Sequence, residues 1–149
     1  MQIHLRNEIQ LDGQMEVVDQ SYPVEATSKN GHLYLIFTNE EKEKTVIKCD
    51  ADELVMTRFS NPKSIMRFMP EKESVVALHT PLGLQHFVTD TKHYHLDHPH
   101  QRLELHYDLK QLEGEGIFAS YQMEIRWGWV TFVKRFQGAF FLKNSLILL

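Results

Sequence analysis

Two arginines, Arg58 and Arg67, stand on either side of Asn61-Pro62, a dipeptide that is typical of a chain reversal. If Asn61-Pro62 forms the tip of a two-residue hairpin, the two arginines become diagonal neighbours on one face of the flanking strands. A pair of guanidinium groups on a largely apolar face suits a carboxylate or a phosphate. The pair therefore predicts a binding site for an amphiphile with an acidic head, such as a fatty acid.

The same residues also allow a purely structural interpretation. The other face of these two strands is apolar and carries Val55, Phe59, Met66 and Phe68. If that face is the interior, both arginines lie in water. Proline at the second turn position fits a two-residue hairpin poorly, so both interpretations stay open.

Seven of the nine histidines lie between residues 79 and 106. His79 and His86 flank residues 81–83 and share apolar faces, so we expect them to face each other across a hairpin, in the core or at the rim. An acid–base pair is the functional alternative, although the sequence places no nucleophile or carboxylate beside it.

The remaining histidine pairs have a spacing that metal ligands use. His93/His95 and His98/His100 each place two rings on one face of a strand. Pro99 interrupts the second pair, and no cysteine or carboxylate pattern completes a site. We therefore predict no metal site and no cofactor. The sequence also lacks a phosphate loop, a serine elbow and a metalloprotease motif, which favours a non-catalytic protein.

The elements that must position these side chains are β-strands. Apolar and polar residues alternate most clearly along Leu103–Leu109 and Ile117–Trp127. We expect these segments to pair as an antiparallel hairpin with one wet and one dry face. Tyr107 and Tyr121 lie on the dry face and are further candidate contacts for the ligand.

Turn signals recur about every eight to twelve residues, among them Asp12-Gly13 and Asn30-Gly31. The pattern predicts an all-β fold, a single antiparallel up-and-down barrel of about 8–10 strands, with no helix before residue 129. Pro23 indicates an edge or a bulge in the second strand. Residues 92–96 either continue the preceding strand or form a strand of their own.

Composition and charge fit one globular domain of 149 residues. With a net charge of −4, the sequence has no excess of the basic residues that nucleic-acid binding requires, so we expect no nucleic-acid partner. A single cysteine, Cys49, and the lack of a signal peptide favour the cytoplasm. No apolar run approaches the length of a membrane span.

The last 21 residues differ from the rest in charge and composition. All 20 acidic residues and 13 of the 16 Lys and Arg fall in residues 1–128, a net charge of −7, whereas residues 129–149 carry +3 and 13 apolar side chains. We expect a barrel domain, 1–128, and an apolar basic tail, 129–149. The tail is expected to pack as a C-terminal helix on the barrel or on the partner of a homodimer. A reading-frame extension and a membrane-surface helix are the alternatives.

Five short segments carry a family resemblance. They are Thr45–Lys48, Glu53–Arg58, Met66–Phe68, His79–Gly83 and Leu103–Leu109. Their order and spacing resemble the YwiB-like family of uncharacterised Firmicutes proteins. The resemblance covers most of residues 1–128 and implies a small, cytoplasmic, lipocalin-like (calycin) β-barrel. It implies no reaction, and the Gly-x-Trp motif of true lipocalins is absent near the N-terminus.

We therefore expect a cytoplasmic bacterial barrel that binds a small hydrophobic or amphiphilic ligand in its interior. The expected contacts are Arg58, Arg67, Tyr107, Tyr121, His79 and His86. The first alternative is a protein-interaction module whose barrel is filled by side chains and holds no ligand. The second is an enzyme of unknown reaction, with His79, His86 and Arg58 as its first candidates.

Overall fold

The computed structural model describes residues 1–113 and 116–129. Within them the chain forms ten strands and no helix. They are β1 (Gln2–Leu11), β2 (Gln14–Lys29), β3 (His32–Thr38), β4 (Lys44–Cys49), β5 (Leu54–Arg58), β6 (Ser64–Phe68), β7 (Glu73–Thr80), β8 (Gly83–Asp97), β9 (Arg102–Gln111) and β10 (Ile117–Gly128). The predicted all-β fold is confirmed. Apart from Trp129, the tail lies outside the described residues, and so do the helix and the homodimer contact expected there.

The strands form one antiparallel sheet in the order β6-β5-β4-β3-β2-β1-β10-β9-β8-β7. This is an up-and-down order that curls into a nearly closed barrel. β6 and β7 are its two edges, and in the described part of the chain no ladder joins them. A hydrogen bond from the Thr89 hydroxyl to the Arg67 carbonyl, 2.8 Å long, connects β8 to β6 near this β6–β7 seam.

Side chains that alternate along each strand fill the barrel. Tyr107 pairs with Tyr121 in the predicted hairpin of β9 and β10, and their rings stack with centroids 4.6 Å apart. The Phe68 ring of β6 lies 4.5 Å from the Tyr107 ring. Each large apolar side chain buried in this way stabilises the fold by about 1.5–3 kcal/mol.

Two long strands explain features that the sequence left open. Pro23 is the last residue of β2 that pairs with β1, and Val24 begins the ladder with β3. The proline therefore marks a change of partner, where its missing N–H costs little, and β2 is not an edge strand. Residues 92–96 continue β8, whose register shifts between Thr91 and His93.

The two ends of the barrel differ in character. Because the strands run up and down, the connections β1–β2, β3–β4, β5–β6, β7–β8 and β9–β10 share one end, which we call the apolar end. Of the nine large hydrophobic side chains exposed in the described residues, seven lie in or beside these connections. They are Met15, Phe59, Ile65, Leu82, Leu84, Leu112 and Ile117. The β3–β4 connection at this end is charged, whereas none of the nine exposed side chains lies in the connections at the other end.

Candidate functional site

A cavity of about 380 Å³ opens at the apolar end of the β6–β7 seam. The β5–β6 connection, 59–63, forms one side of it, and the end of β7 with the start of β8 forms the other. We call it the seam cavity. Its ionisable lining residues are Arg58, Lys63 and His79. Its apolar lining residues are Pro62, Ala77, Leu78 and Leu84.

Local hydrogen bonds shape both sides of the seam cavity. In the β5–β6 connection the Ser60 hydroxyl donates to the Pro62 carbonyl at 2.8 Å. In the β7–β8 connection the Thr80 hydroxyl donates to the Gly83 carbonyl at 2.9 Å and accepts from the Leu82 N–H at 3.1 Å. Gly83 has a φ of 100°, a value that residues with a Cβ rarely adopt.

Arg58 is the last residue of β5, and its side chain is only 10% exposed. Its Nε and Nη2 donate to Oε1 of Glu43 at 3.0 and 2.8 Å, and Nη2 lies 3.5 Å from Oε2 of Glu41. Charge-assisted bonds of this kind are stronger than neutral ones. Arg58 thus ties β5 to the β3–β4 connection, 39–43.

Asn39 fixes the connection that carries Glu43. Its Oδ1 accepts from the N–H groups of Glu41 and Glu43, both at 3.0 Å, and its Nδ2 donates to Oε1 of Glu43 at 3.2 Å. Burial alone would raise the pKa of the Glu43 carboxyl. The hydrogen bonds from Arg58 and Asn39 outweigh that effect and hold this pKa below its usual value.

The predicted pair of Arg58 and Arg67 is wrong. The register pairs Arg58 with Ser64 and Val55 with Arg67, so the two arginines lie on opposite faces of the sheet. Arg58 points inward, whereas the Arg67 side chain is 53% exposed, with its Nε 4.0 Å from Oε2 of Glu53. Five residues, 59–63, connect β5 and β6, instead of the expected two-residue turn. The register therefore differs by one residue from the expected one, which places Arg67 on the face of the sheet opposite Arg58.

The two tyrosines lie in the core, away from the lining of the seam cavity. Tyr107 and Tyr121 are 1% and 2% exposed, and burial raises the pKa of both hydroxyls well above the usual range. The Tyr107 hydroxyl has no hydrogen-bond partner among the described residues. The stacked rings therefore fill the centre of the barrel.

The two histidines are exposed at the rim, on the outer face of β7 and β8. His79 pairs with Leu84, and His86 pairs with Ala77, so the rings are diagonal neighbours. His79 lines the seam cavity, whereas His86 lines a second cavity beside it. The seam cavity therefore brings together Arg58 and His79 and no other predicted contact. It adds Lys63, which sequence reasoning missed because a lysine in a turn is usually only solvated.

The other histidines take part in separate contacts. His93 Nε2 lies 3.1 Å from Oε2 of Glu104, and His100 Nδ1 lies 2.8 Å from Oδ2 of Asp97. Among residues 1–113 and 116–129, no group of three or more His, Cys, Asp and Glu is placed to hold a metal ion. Nor do these residues include a helix of the length and apolarity needed to cross a membrane.

Comparison with known proteins identifies the family. The model of the family described as "Domain of unknown function (DUF1934)" matches residues 3–125. The crystal structure of the YwiB protein from Bacillus subtilis is similar, with a TM-score of 0.66 and 21% sequence identity over 85% of this chain and 90% of that chain. No curated protein matches the chain. The resemblance seen in the sequence is thus confirmed, and the chain belongs to the DUF1934 family, whose defining domain has no known function.

Proposed function

We propose that this protein is a non-catalytic binding protein for a small amphiphile with an acidic head. The proposal depends on one observation: all three ionisable residues that line the seam cavity, Arg58, Lys63 and His79, are basic. Of the remaining lining residues, Ser60, Asn61 and Ser64 are polar, and four supply apolar contacts, namely Pro62, Ala77, Leu78 and Leu84. A volume of about 380 Å³ lies within the range of small-molecule pockets, roughly 300–1,000 Å³.

Arg58 is the expected anchor for the acidic head. Glu43 and Glu41 engage its Nε and Nη2, and Nη1 has no hydrogen bond to any described residue. Two donors of a planar guanidinium group therefore remain for a ligand oxygen. The position differs from the one expected from the sequence, because the stacked aromatic rings occupy the centre of the barrel and the ligand binds at its end.

Lys63 and His79 are the other two basic residues that line the seam cavity. The Nζ of Lys63 lies 5.7 Å from the centroid of the exposed Phe59 ring, so this ammonium group is held at the cavity rim by a cation–π contact. His79 enters from the opposite side of the seam. A ligand carboxylate between these groups interacts with the charges of Arg58 and Lys63 on one side and with the imidazole ring of His79 on the other.

A cytoplasmic location is part of the proposal. Cys49, the single cysteine of the sequence, is buried and free, and burial raises the pKa of its thiol to about 12. Such a thiol acts as a small apolar core residue and takes no part in disulfide chemistry, which suits a reducing compartment.

A protein-interaction module is the second candidate. The stack of Phe68, Tyr107 and Tyr121 favours it, because these rings leave the centre of the barrel filled. The exposed apolar side chains of the apolar end then serve as a protein contact. The first candidate predicts that a soluble amphiphile binds at the apolar end, whereas the second predicts that a partner protein binds there.

A binding assay with a matched arginine control tests the proposal. The affinities of dodecanoate and dodecanol are measured by calorimetry for the unmodified protein, Arg58→Met and Arg67→Met. We expect dodecanoate to bind more tightly than dodecanol, Arg58→Met to lose about tenfold or more of the dodecanoate affinity, and Arg67→Met to retain it. Equal dodecanoate affinities for all three proteins, or no binding, would overturn the proposal.

The double variant R58M/E43Q keeps the test interpretable. Arg58→Met alone leaves the partly buried Glu43 without its main partner, and an unpaired buried carboxylate is destabilising. The double variant removes both charges together, so its fold is expected to be retained. Its dodecanoate affinity must also fall if Arg58 is the anchor.

A further inference from the structure

A second cavity, of about 410 Å³, lies beside the seam cavity at the apolar end. The start of β8, residues 111–113 and the start of β10 line it, and we call it the mouth groove. Phe87 and Phe118 lie in its wall, with ring centroids 5.3 Å apart. Leu84 lines both cavities, so the mouth groove adjoins the seam cavity across this one side chain.

The two cavities differ in the chemistry of their walls. The ionisable lining residues of the mouth groove are His86 and Glu113, so it lacks the uniformly basic lining of the seam cavity. Four large apolar side chains line the mouth groove instead. They are Leu84, Phe87, Leu112 and Phe118. Basic residues therefore line one cavity and aromatic residues line the other, side by side at the apolar end of the barrel.

The side chain between the cavities, Leu84, is apolar and 55% exposed. Leu112, in the wall of the mouth groove, is also apolar and 48% exposed. Leu84 lies on the outer face of β8 opposite His79, whereas Phe87 lies on the inner face opposite Val76. A chain that passes over Leu84 therefore moves from the outside of the seam toward the barrel mouth, and it removes apolar surface from water along the way.

We propose that the ligand is a long-chain amphiphile whose acidic head lies in the seam cavity and whose apolar chain crosses Leu84 into the mouth groove. This inference rests on the proposed function and specifies its ligand class. The occupant follows from the order of the walls: basic groups, then an exposed leucine, then aromatic rings. A short acid fills the seam cavity alone.

The test combines chain length with a substitution in the mouth groove. Affinities of octanoate and tetradecanoate, both below their micelle concentrations, are measured for the unmodified protein and for Leu112→Glu. Leu112 is already half exposed, so the substitution is expected to preserve the fold while placing a charge in the groove. Val75→Glu is the matched control, because Val75 is 62% exposed on β7 and lines neither cavity.

We expect Leu112→Glu to weaken tetradecanoate binding about tenfold or more, since several buried CH₂ groups lose their contacts. Octanoate binding and the Val75→Glu control are expected to stay within about twofold of the unmodified protein. Equal tetradecanoate affinities for the unmodified protein and Leu112→Glu would overturn the inference. Tetradecanoate binding that is insensitive to Arg58→Met would instead overturn the proposed function, so the two failures are distinguishable.

Discussion

Arg58 donates two hydrogen bonds to a single carboxylate oxygen of Glu43, from Nη2 at 2.8 Å and from Nε at 3.0 Å. The pair stands beside the seam cavity, and Glu43 is part of the β3–β4 connection, 39–43. An acidic ligand at this place meets an arginine that already has a carboxylate partner. Glu43 therefore sets how strongly Arg58 attracts a second anion.

The first prediction concerns this competition. Glu43→Gln removes the competing negative charge and keeps an oxygen that accepts hydrogen bonds from Arg58 and Asn39. We expect the affinity for dodecanoate to rise several-fold, whereas the affinity for dodecanol stays the same. Calorimetric titration of both compounds measures the difference.

Glu41 supplies the matched control for that variant. Its carboxylate lies 3.5 Å from Arg58 Nη2 and its side chain is 60% exposed, so solvent screens its charge. Glu41→Gln is expected to have a smaller effect than Glu43→Gln. A lower dodecanoate affinity in Glu43→Gln would mean that the carboxylate positions Arg58 for the ligand and does not compete with it.

The second prediction compares two buried tyrosine hydroxyls. The Tyr107 hydroxyl has no partner among the described residues, whereas the Tyr94 hydroxyl donates to the Asp50 carbonyl at 2.5 Å and lies 3.1 Å from the Glu53 carbonyl. An unsatisfied buried group costs about 1–3 kcal/mol. We expect Tyr107→Phe to leave the free energy of unfolding unchanged or raise it, and Tyr94→Phe to lower it by about 1–2 kcal/mol.

Urea denaturation of the three proteins measures these free energies of unfolding. The two substitutions remove the same atom from the same residue type, so they differ in the partners of the hydroxyl and in its burial, since Tyr94 is half-buried and Tyr107 fully buried. A Tyr107→Phe variant that is less stable than Tyr94→Phe would show that the Tyr107 hydroxyl is well bonded in the folded protein.

The third prediction concerns acid stability. Lys110 and Lys92, with Nζ atoms 2.6 and 2.8 Å from Oδ2 of Asp90, hold the pKa of that carboxyl below its usual value of 3.8. A lowered folded pKa contributes stability that is present above the usual pKa and is lost as the pH falls through the folded value. The contribution of Asp90 is therefore expected to begin to fall below about pH 3.8 and to be lost once the pH is below the lowered pKa of the folded protein.

Asp90→Asn tests this pH dependence. The variant is expected to be less stable than the unmodified protein at pH 7, and the difference is expected to shrink as the pH falls below the usual aspartate range. Thermal unfolding at pH values from 7 to 2 measures this difference in stability. Glu25→Gln, at an exposed position, is the control. A difference that stays constant over this range would show that the carboxylate charge of Asp90 does not stabilise the fold.

The alternation of side chains made most of the fold predictable. It predicted β9 and β10 and their pairing, because a period of two is unambiguous over strands as long as Leu103–Leu109 and Ile117–Trp127. The same regularity placed Tyr107 and Tyr121 on one inner face, where the register pairs them. Hairpin turns such as Asp12-Gly13 were also predictable, since positive φ angles favour these residues.

The candidate site was less predictable, because it depends on register and on distant contacts. β5 and β6 have only five residues each, so their connection decided which face of β6 is buried, and a one-residue error separated Arg58 from Arg67. The pairing of Arg58 with Glu43 spans 15 residues. A charged loop between two strands gives no local signal that one of its carboxylates binds an inward-facing arginine.

The most direct measurement of the central claim is an NMR titration of the isotope-labelled protein with dodecanoate. If the ligand binds in the seam cavity, amide shifts will concentrate in residues 58–64 and 77–84, and they will weaken strongly in Arg58→Met and persist in Arg67→Met. Shifts confined to the opposite, polar end of the barrel, or a spectrum unchanged at saturating dodecanoate, would contradict the account.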